Sequence, residues 1–375
     1  MRLAIVTESF LPRVNGVTRT VMALTSYLRR RGHQALLVAP GRGIGEYEGF
    51  EVVRVRGVGG GRLYPDLTVS PLAPGLRRRL RDFDPDVVHL ASPAALGVFG
   101  ARAARRLGVP VAAHYQTDLP AYARAYGGAP LALVARVIER RFHNSCAATY
   151  APTPPMAEEL RRRGFANVRV SGRGVDTALF RPGRSGALSA RGRWPAGDGP
   201  RILSVSRLAR EKGLDHVVRI AREHPELRVL VVGTGPLAGG LRRAAPPNLA
   251  LAGLLEGHDL ADTYAAADVF LHASATETFG QVVQEAMASG LAVIGVRVGG
   301  VGWLVEEGQT GLLAEPPGDG LGDLVVAATR QPSLLEELGA AARQRVAGRS
   351  WSAIFDALLQ DYAALAGSRV RPLAA

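Results

Sequence analysis

The chain has one cysteine and one lysine among its 375 residues. A lone Cys146 cannot close an intramolecular disulfide, which excludes a disulfide-stapled secreted domain and indicates a reducing compartment. No segment approaches the roughly 20 consecutive apolar residues that a membrane-spanning helix needs. Near the amino terminus only residues 3–6 are apolar before Thr7 and Glu8, which is too short for the core of a signal peptide. We therefore expect a cytoplasmic protein.

Motifs for two common ligand classes are also missing. The loop after the first predicted strand, residues 8–16, lacks the G-x-G-x-x-G pattern, so it gives no support for a dinucleotide site. We find no zinc-finger spacing and no strand that interleaves aromatic with basic residues, so the sequence favours no nucleic-acid partner.

The net charge of +13 is confined to the first half of the chain. Residues 1–180 hold 26 arginines against 13 acidic residues, whereas residues 181–375 hold 20 basic and 20 acidic residues. The arginines cluster at 29–31, 77–81, 102–106 and 161–163. Such clusters are typical either of a solvated surface or of a surface that binds an anionic membrane.

Alternating apolar strands and amphipathic helices predict the fold class: an α/β protein with two doubly wound parallel-sheet domains that face each other across a cleft. The expected strands are 3–7, 35–39, 51–55, 86–91, 109–115, 147–151 and 167–171 in the first half, and 201–206, 227–233, 248–252, 268–273, 291–296 and 311–314 in the second. Composition rich in Gly, Pro, Arg and Ser predicts a linker at 181–200. We expect domains at 1–180 and 201–350, and an amphipathic carboxyl-terminal helix and tail, 351–375, that packs across them.

The most informative stretch is 277–285, which carries two carboxylates. An apolar run, 268–274, leads into it, and apolar residues then recur at helical spacing, so we predict strand, loop and helix, with Thr276 or Thr278 as the cap. Glu277 would lie at the entrance of the helix and Glu285 roughly 12 Å further along its axis. The alternative is that Glu277 only complements the helix dipole and Glu285 only faces solvent.

Positive charge appears at another strand end of the second half. Arg207 follows the predicted strand 201–206, and Lys212 lies in the loop before the next helix. Fixed cations at this place could neutralise a departing diphosphate without a metal, and the alternative is a surface ion pair with Glu211. Gly233 ends the predicted strand 227–233 at a glycine turn, where a nucleoside could pack against backbone.

The first half contributes three further candidate residues. Gly16 stands at a helix entrance, where a phosphate could approach the backbone or where it is an ordinary loop glycine. Gln116 and Asp118 follow the carboxyl end of the strand 109–115, and Asp118 could be catalytic or could cap the next segment. The aspartates at 82–86 precede a strand on its amino side, which disfavours a metal site there.

These motifs in this order resemble a retaining glycosyltransferase of family 4 with the GT-B fold. The matching segments are 8–18, 174–182, 206–213 and the pair Glu277 and Glu285. The loop 8–18 and the stretch 115–122 are most similar to bacterial enzymes that act on membrane lipids, including GDP-mannose-dependent α-mannosyltransferases.

The resemblance implies a role for each matching residue. Glu285 would hold the nucleotide ribose and Glu277 the transferred sugar, while Arg207 and Lys212 would clamp the diphosphate. Gly16 would let the first domain close over the diphosphate. Gln116 and Asp118 would belong to the sugar site. Relatives commonly carry histidine at the position of Gln116. His114 does not replace that histidine, because it lies two residues, one strand repeat, earlier. Backbone groups toward the sugar and phosphate would come from three further residues: Phe279, Gly280 and Gln281.

The resemblance also implies the reaction: transfer of a hexose, mannose from GDP-mannose in the first instance, to an acceptor hydroxyl of a membrane glycolipid or glycan, with no cofactor and no metal. The enzyme would then lie in the cytoplasm or on the inner face of the cell membrane. Three alternatives stay open. They are a UDP-glucose-dependent glucosyltransferase of the same fold, a nucleotide-sugar epimerase or phosphorylase that transfers nothing, and a basic membrane-binding protein without catalysis.

Overall fold

The structure is a computed structural model that describes residues 1–60, 64–70, 72–92, 95–116 and 119–367. The chain forms two compact units. The first comprises Met1–Arg173 and the chain from Trp351 onward, and the second comprises Gly174–Ser350.

The first unit is built on a sheet with the strand order β10-β9-β8-β7-β1-β2-β4-β3, parallel except for the β3–β4 pair, and a separate antiparallel pair β5–β6. Its strands are β1 (Arg2–Val6), β2 (Gln34–Pro40), β3 (Glu46–Tyr47), β4 (Phe50–Val55), β5 (Val58–Gly60), β6 (Tyr64–Val69), β7 (Val87–Leu90), β8 (Val111–His114), β9 (Ala148–Ala151) and β10 (Val168–Val170). Its helices are α1 (Gly16–Arg30), α2 (Leu76–Phe83), α3 (Ala95–Arg106), α4 (Leu119–Asn144), α5 (Pro154–Arg162) and, at the end of the chain, α14 (Trp351–Gly367).

Two helices of this unit show how the apolar pattern sets the packing. In α1 the apolar residues Val21, Leu24 and Leu28 recur on one face and are buried against the sheet. Asn15 caps the helix, because its side chain accepts a hydrogen bond from the Thr18 N–H. The carboxyl-terminal helix α14 buries Phe355 in the same core, so it is part of the first unit.

The second unit contains a six-stranded, wholly parallel sheet in the order β13-β12-β11-β14-β15-β16. Its strands are β11 (Arg201–Val205), β12 (Arg228–Val232), β13 (Leu249–Gly253), β14 (Val269–His272), β15 (Ala292–Val296) and β16 (Gly311–Ala314). Its helices are α6 (Ala187–Ala190), α7 (Leu214–Glu223), α8 (Ala238–Ala244), α9 (Gly257–Ala266), α10 (Gln281–Ala288), α11 (Gly299–Leu304), α12 (Leu321–Thr329) and α13 (Pro332–Val346).

Both sheets confirm the predicted α/β class with parallel strands. The unit boundary, however, falls at Arg173 and Gly174, before the predicted linker. Residues 181–200 instead fold into the second unit, where Trp194 is buried and its indole N–H donates to the Ile202 carbonyl at 3.1 Å. One buried aromatic thus fixes a segment whose composition is typical of a loop.

Candidate functional site

The two strands at the centre of the second sheet bring separated motifs together. β11 and β14 are neighbours, with Ile202 opposite Val269 and Leu203 opposite Phe270. Their carboxyl ends therefore lie side by side, and in open parallel sheets ligands bind beyond this edge. The loops that follow these two strands carry Lys212 and Glu277.

A salt bridge joins these loops. Lys212 Nζ lies 2.9 Å from Glu277 Oε2, and both side chains are about four-fifths buried. Lys212 ends a short 3-10 turn, Arg210–Lys212, and the Ser274 hydroxyl donates to the Glu211 carbonyl of that turn at 2.8 Å. Lys212 thus pairs with Glu277 rather than with Glu211, the partner that the alternative hypothesis required.

His272, the last residue of β14, is the third member of this cluster. Its ring Nε2 lies 3.7 Å from Glu277 Oε2, and it is buried. Burial acts to raise the pKa of Glu277, but the nearby His272 ring and the charge of Lys212 outweigh it and lower the pKa below its usual value. Glu277 is therefore a fixed anion at neutral pH.

The helix after Glu277 begins later than the sequence suggested. α10 starts at Gln281, and its cap is Gly280, in the left-handed conformation with φ 91° and without a side-chain cap. The prediction that Thr276 or Thr278 caps the helix was wrong. The Thr276 hydroxyl instead lies 3.3 Å from the Glu211 carbonyl, so this residue ties the loop to the Lys212 turn.

Glu285 is buried in α10. The hydroxyl of Tyr264, from α9, lies 3.3 Å from its Oε2 and 3.1 Å from the Val282 carbonyl. The structure does not support the view that Glu285 merely faces solvent. A buried carboxylate on a helix is costly unless polar groups satisfy it, so its position indicates a specific role.

Backbone crowding accounts for two glycines at this edge. A Cβ on Gly233, whose φ is 137°, would meet the Ser206 carbonyl oxygen at 1.9 Å. A Cβ on Gly300 would meet the Phe279 carbonyl oxygen at 2.0 Å. Both glycines let loops from neighbouring strands pack closely, and Gly300 donates its N–H to the Glu277 carbonyl at 3.2 Å.

The other candidate residues of the second unit occupy different environments. Arg207 is exposed at the end of β11. Phe279 is buried, with its ring 6.5 Å from that of Trp303. Its side chain is therefore part of the core, and only its backbone groups could contact a ligand. Gln281 donates from Nε2 to the Gly174 carbonyl at 3.0 Å, and its Oε1 accepts no hydrogen bond from the described residues.

In the first unit Gln116 follows β8, and its Oε1 accepts a hydrogen bond from Arg173 Nη2 at 3.1 Å. The same guanidinium approaches Gly16, since Arg173 Nη1 would lie 3.5 Å from a Cβ built there. Arg173 therefore links two candidate residues, a connection that the sequence pattern did not reveal. Asp118 lies outside the described residues.

His114 belongs to a buried network instead of a ligand site. Its Nε2 and the Nδ1 of His89 each lie 2.8 Å from the Tyr362 hydroxyl of α14. Burial lowers the pKa of both histidines, that of His89 to about 3. His114 is therefore neutral, and its Nε2 is occupied by the Tyr362 hydroxyl.

Glu8 is a buried residue for which the sequence suggested no environment. Its Oε1 accepts a hydrogen bond from the Gly97 N–H at 3.0 Å, and Oε2 has no partner among the described residues. Burial raises the pKa of Glu8 from 4.5 to about 7, against the smaller lowering effect of the backbone N–H groups of Gly97 and Leu96. Folding therefore favours the protonated carboxyl.

This shift predicts a pH dependence of stability. Because the folded pKa exceeds the unfolded one, the stabilisation is complete below pH 4.5 and is lost as the pH rises through about 7. The difference between the folded and unfolded pKa of Glu8 corresponds to a loss of about 3 kcal/mol in the free energy of unfolding. We expect the glutamine variant, Glu8→Gln, to lose less stability between pH 5 and pH 8 than the wild type in urea unfolding. The variant Glu158→Gln, at an exposed position, should show the same pH dependence of stability as the wild type. If all three proteins showed the same pH dependence, the burial of Glu8 would not be its cause.

Residues 14–179 match the family described as Glycosyltransferase Family 4, and residues 190–345 match Glycosyl transferases group 1. The GDP-mannose-dependent alpha-mannosyltransferase of Mycobacterium tuberculosis (strain CDC 1551 / Oshkosh) is 42% identical, with 98% of each chain covered. The chain belongs to glycosyltransferase family 4. It is a hexosyltransferase, as the resemblance implied.

Two further comparisons extend this result. The enzyme of the same name from Corynebacterium glutamicum is 40% identical to this glycosyltransferase over 97% of the chain and 89% of the relative. Among solved structures, Anabaena Alr3699/HepE in complex with UDP superposes with a TM-score of 0.79 at 19% identity, covering 97% of this chain and 100% of that one. The structural match shows that the fold is GT-B.

The residues that the structure describes contain neither a helix that could span a membrane nor a metal-binding cluster of side chains. None of the helices described here is both long and apolar enough to cross a membrane. Within the same residues, no three side chains of His, Cys, Asp or Glu are grouped so that they could hold a metal ion.

Proposed function

We propose that this glycosyltransferase transfers mannose from GDP-mannose to an acceptor hydroxyl of a membrane glycolipid, with retention of configuration and without a bound metal. The observation that carries the proposal is the Lys212–Glu277 pair at the carboxyl edge of one parallel sheet, with buried Glu285 on the helix α10 that follows. The choice of donor follows the two relatives named above, both described as GDP-mannose-dependent.

Lys212 stabilises the departing diphosphate. An ammonium group has three donors, so Lys212 can keep its 2.9 Å contact with Glu277 and still donate to a phosphate oxygen. Arg207, which follows the same strand β11, supplies a second cation. Charge that develops on the leaving oxygen is thereby met by groups already in place, which is the main electrostatic contribution to catalysis.

Glu277 and Glu285 bind hydroxyl groups. Glu277 is ionised and fixed by Lys212 and His272, so its carboxylate accepts hydrogen bonds from the transferred sugar. Glu285 accepts from the two ribose hydroxyls. Because Glu285 is buried, these hydrogen bonds lie in a region of low dielectric, where they are stronger than in water.

The reaction proceeds on one face of the sugar. The bond between the anomeric carbon and the diphosphate oxygen breaks, and its electron pair leaves with the diphosphate. The acceptor oxygen forms its bond to the same face, and the hydroxyl proton passes to the departing phosphate oxygen. The sequence-based roles of Gly16, Gly233, Gln116, Asp118 and the backbone of residues 279–281 remain predictions.

Thermal unfolding with nucleotides tests the choice of donor. A ligand that binds only the folded protein, at a hundred times its Kd, adds about 2.7 kcal/mol, which raises Tm by several degrees. We expect GDP and GDP-mannose to raise Tm, and UDP and UDP-glucose to leave it unchanged at the same concentration. A rise in Tm with UDP alone would show that the donor carries uridine instead of guanosine. No rise in Tm with any of the four ligands would contradict the proposed donor site.

A further inference from the structure

A guanidinium and an amide meet at the carboxyl edge of the first sheet. Gln116 lies two residues beyond β8 and Arg173 three residues beyond β10, and both are half-buried. Arg173 Nη2 lies 3.1 Å from Gln116 Oε1. The same guanidinium lies near the start of α1, since its Nη1 would be 3.5 Å from a Cβ built on Gly16. Arg173 therefore stands between a strand end and a helix start, at the edge where ligands bind in parallel sheets.

This contact decides which way the Gln116 amide faces. A guanidinium carries only N–H donors, whereas a carboxamide carries an oxygen that accepts and a nitrogen that donates. The oxygen therefore faces Arg173, and Nε2 is turned to the other side. A half-turn of the amide would set N–H groups against N–H groups and lose the hydrogen bond. Because the donor is charged, the bond is about twice as strong as a neutral one, and it polarises the amide so that its N–H groups become stronger donors.

The backbone holds the two side chains at a fixed separation. The Tyr115 N–H donates to the Tyr150 carbonyl at 2.9 Å, and the Ser171 N–H donates to the Ala151 carbonyl at 2.9 Å. The end of β9 thus ties together the two segments from which the amide and the guanidinium project. Both side chains also line a cavity of about 20 Å³ at the ends of β8, β9 and β10. The amide is therefore oriented by groups that are themselves fixed in the first unit.

We propose that Arg173 is a positioning residue for the transfer reaction. It holds the amide of Gln116 so that Nε2 donates to a sugar oxygen of the substrate, and it acts only through Gln116. An amide held in this way offers an N–H donor, as a histidine ring does, but carries no proton that titrates near neutrality. The inference rests on the proposed function only for the place of Gln116 in the sugar site.

A double-mutant cycle in kcat/KM tests this role. Gln116→Met removes the donor and should lower kcat/KM about a hundredfold. Arg173→Met leaves the amide in place but no longer oriented, and should lower kcat/KM about tenfold, because small displacements of a positioned group are costly. In the Gln116→Met protein, Arg173→Met should cost less than about twofold more. An Arg173 that itself bound the substrate would cost as much in that background as in the wild type, and this result would overturn the proposal.

Two conservative variants separate orientation from charge. Arg173→Lys keeps a cation that can donate to Oε1, so it should retain kcat/KM within about threefold of the wild type. Gln116→Glu keeps the contact with Arg173 as an ion pair but has no N–H donor. It should keep the stability of the wild type and lose about as much kcat/KM as Gln116→Met. Wild-type kcat/KM in Gln116→Glu would show that the amide donor has no role and would contradict the proposal.

Arg169 on β10 supplies the matched control. Its Nη1 lies 3.4 Å from Asp361 Oδ1, so Arg169→Met also removes a paired arginine near the end of the same strand. This variant should keep the kcat/KM of the wild type. A tenfold loss in it as well would assign the effect of Arg173→Met to general disturbance of the strand.

Urea unfolding without substrate checks the contact independently of the donor. Arg173→Met with Gln116→Met should lose less stability than the sum of the two single variants, because the pair is broken only once. Strictly additive losses would show that the two side chains do not interact and would overturn the proposal. If GDP-mannose is not the donor, the kinetic cycle uses the nucleotide sugar that raises Tm. The proposed donor and the role of Arg173 can therefore fail separately.

Discussion

Replacement of Lys212 by alanine is expected to lower kcat by about a thousandfold. Removal of one preorganised group that stabilises transition-state charge costs roughly 10²–10³ in kcat, and Lys212 carries a full charge. The effect should fall on kcat more than on KM, because the charge on the leaving diphosphate grows as the bond breaks. Steady-state kinetics with GDP-mannose measure both constants.

The salt bridge complicates this variant and also supplies its control. Without Lys212 the Glu277 carboxylate loses its 2.9 Å partner, so some stability is lost as well. Lys212→Ala with Glu277→Gln removes the unpaired charge and should restore stability without restoring kcat. The exposed neighbour Arg210 on the same turn, replaced by alanine, should leave kcat within a factor of a few. If the double variant recovered kcat, Lys212 would be only the structural partner of Glu277.

Replacement of Glu285 by glutamine is expected to weaken GDP binding about a hundredfold. Hydrogen bonds to a charged group contribute roughly 1.5–3 kcal/mol each, and a neutral amide of the same shape retains only part of this. The buried position next to the Tyr264 hydroxyl should keep the fold unchanged, because glutamine can still accept that hydrogen bond. Isothermal titration with GDP measures the loss.

A nucleotide that lacks the ribose hydroxyls distinguishes loss of a direct contact between Glu285 and the ribose from a change in packing around residue 285. The wild type should bind 2′,3′-dideoxy-GDP far more weakly than GDP, whereas the Glu285→Gln protein should bind the two nucleotides with nearly equal affinity. If the variant kept the full preference for GDP, the ribose would be held elsewhere. Glu158→Gln, on an exposed surface of the first unit, should behave as the wild type does.

Much of the fold could be predicted because buried parallel strands are short apolar runs separated by helices. β11, β14 and β15 all fall within the predicted spans, and burial on both faces explains why their pattern is continuous rather than alternating. The linker prediction failed at 181–200 because composition does not reveal that a single indole, Trp194, is buried.

The candidate site was predicted as residue types but not as contacts. Lys212 and Glu277 are 65 positions apart, and only the adjacency of β11 and β14 brings them to 2.9 Å. His272 was missed although it lies next to the end of the predicted strand 268–273, where ligand sites begin. The start of α10 was misplaced because Gly280 caps it through a left-handed backbone, whereas sequence rules look for a threonine side chain.

The stereochemistry of the product tests the account most directly. The enzyme is incubated with GDP-α-mannose labelled with ¹³C at the anomeric carbon, a membrane lipid extract and EDTA, and the one-bond carbon–hydrogen coupling of the new glycoside is read by NMR. The account predicts an α-mannoside formed at an undiminished rate in EDTA. A β-mannoside, or free mannose in place of a glycoside, would contradict it.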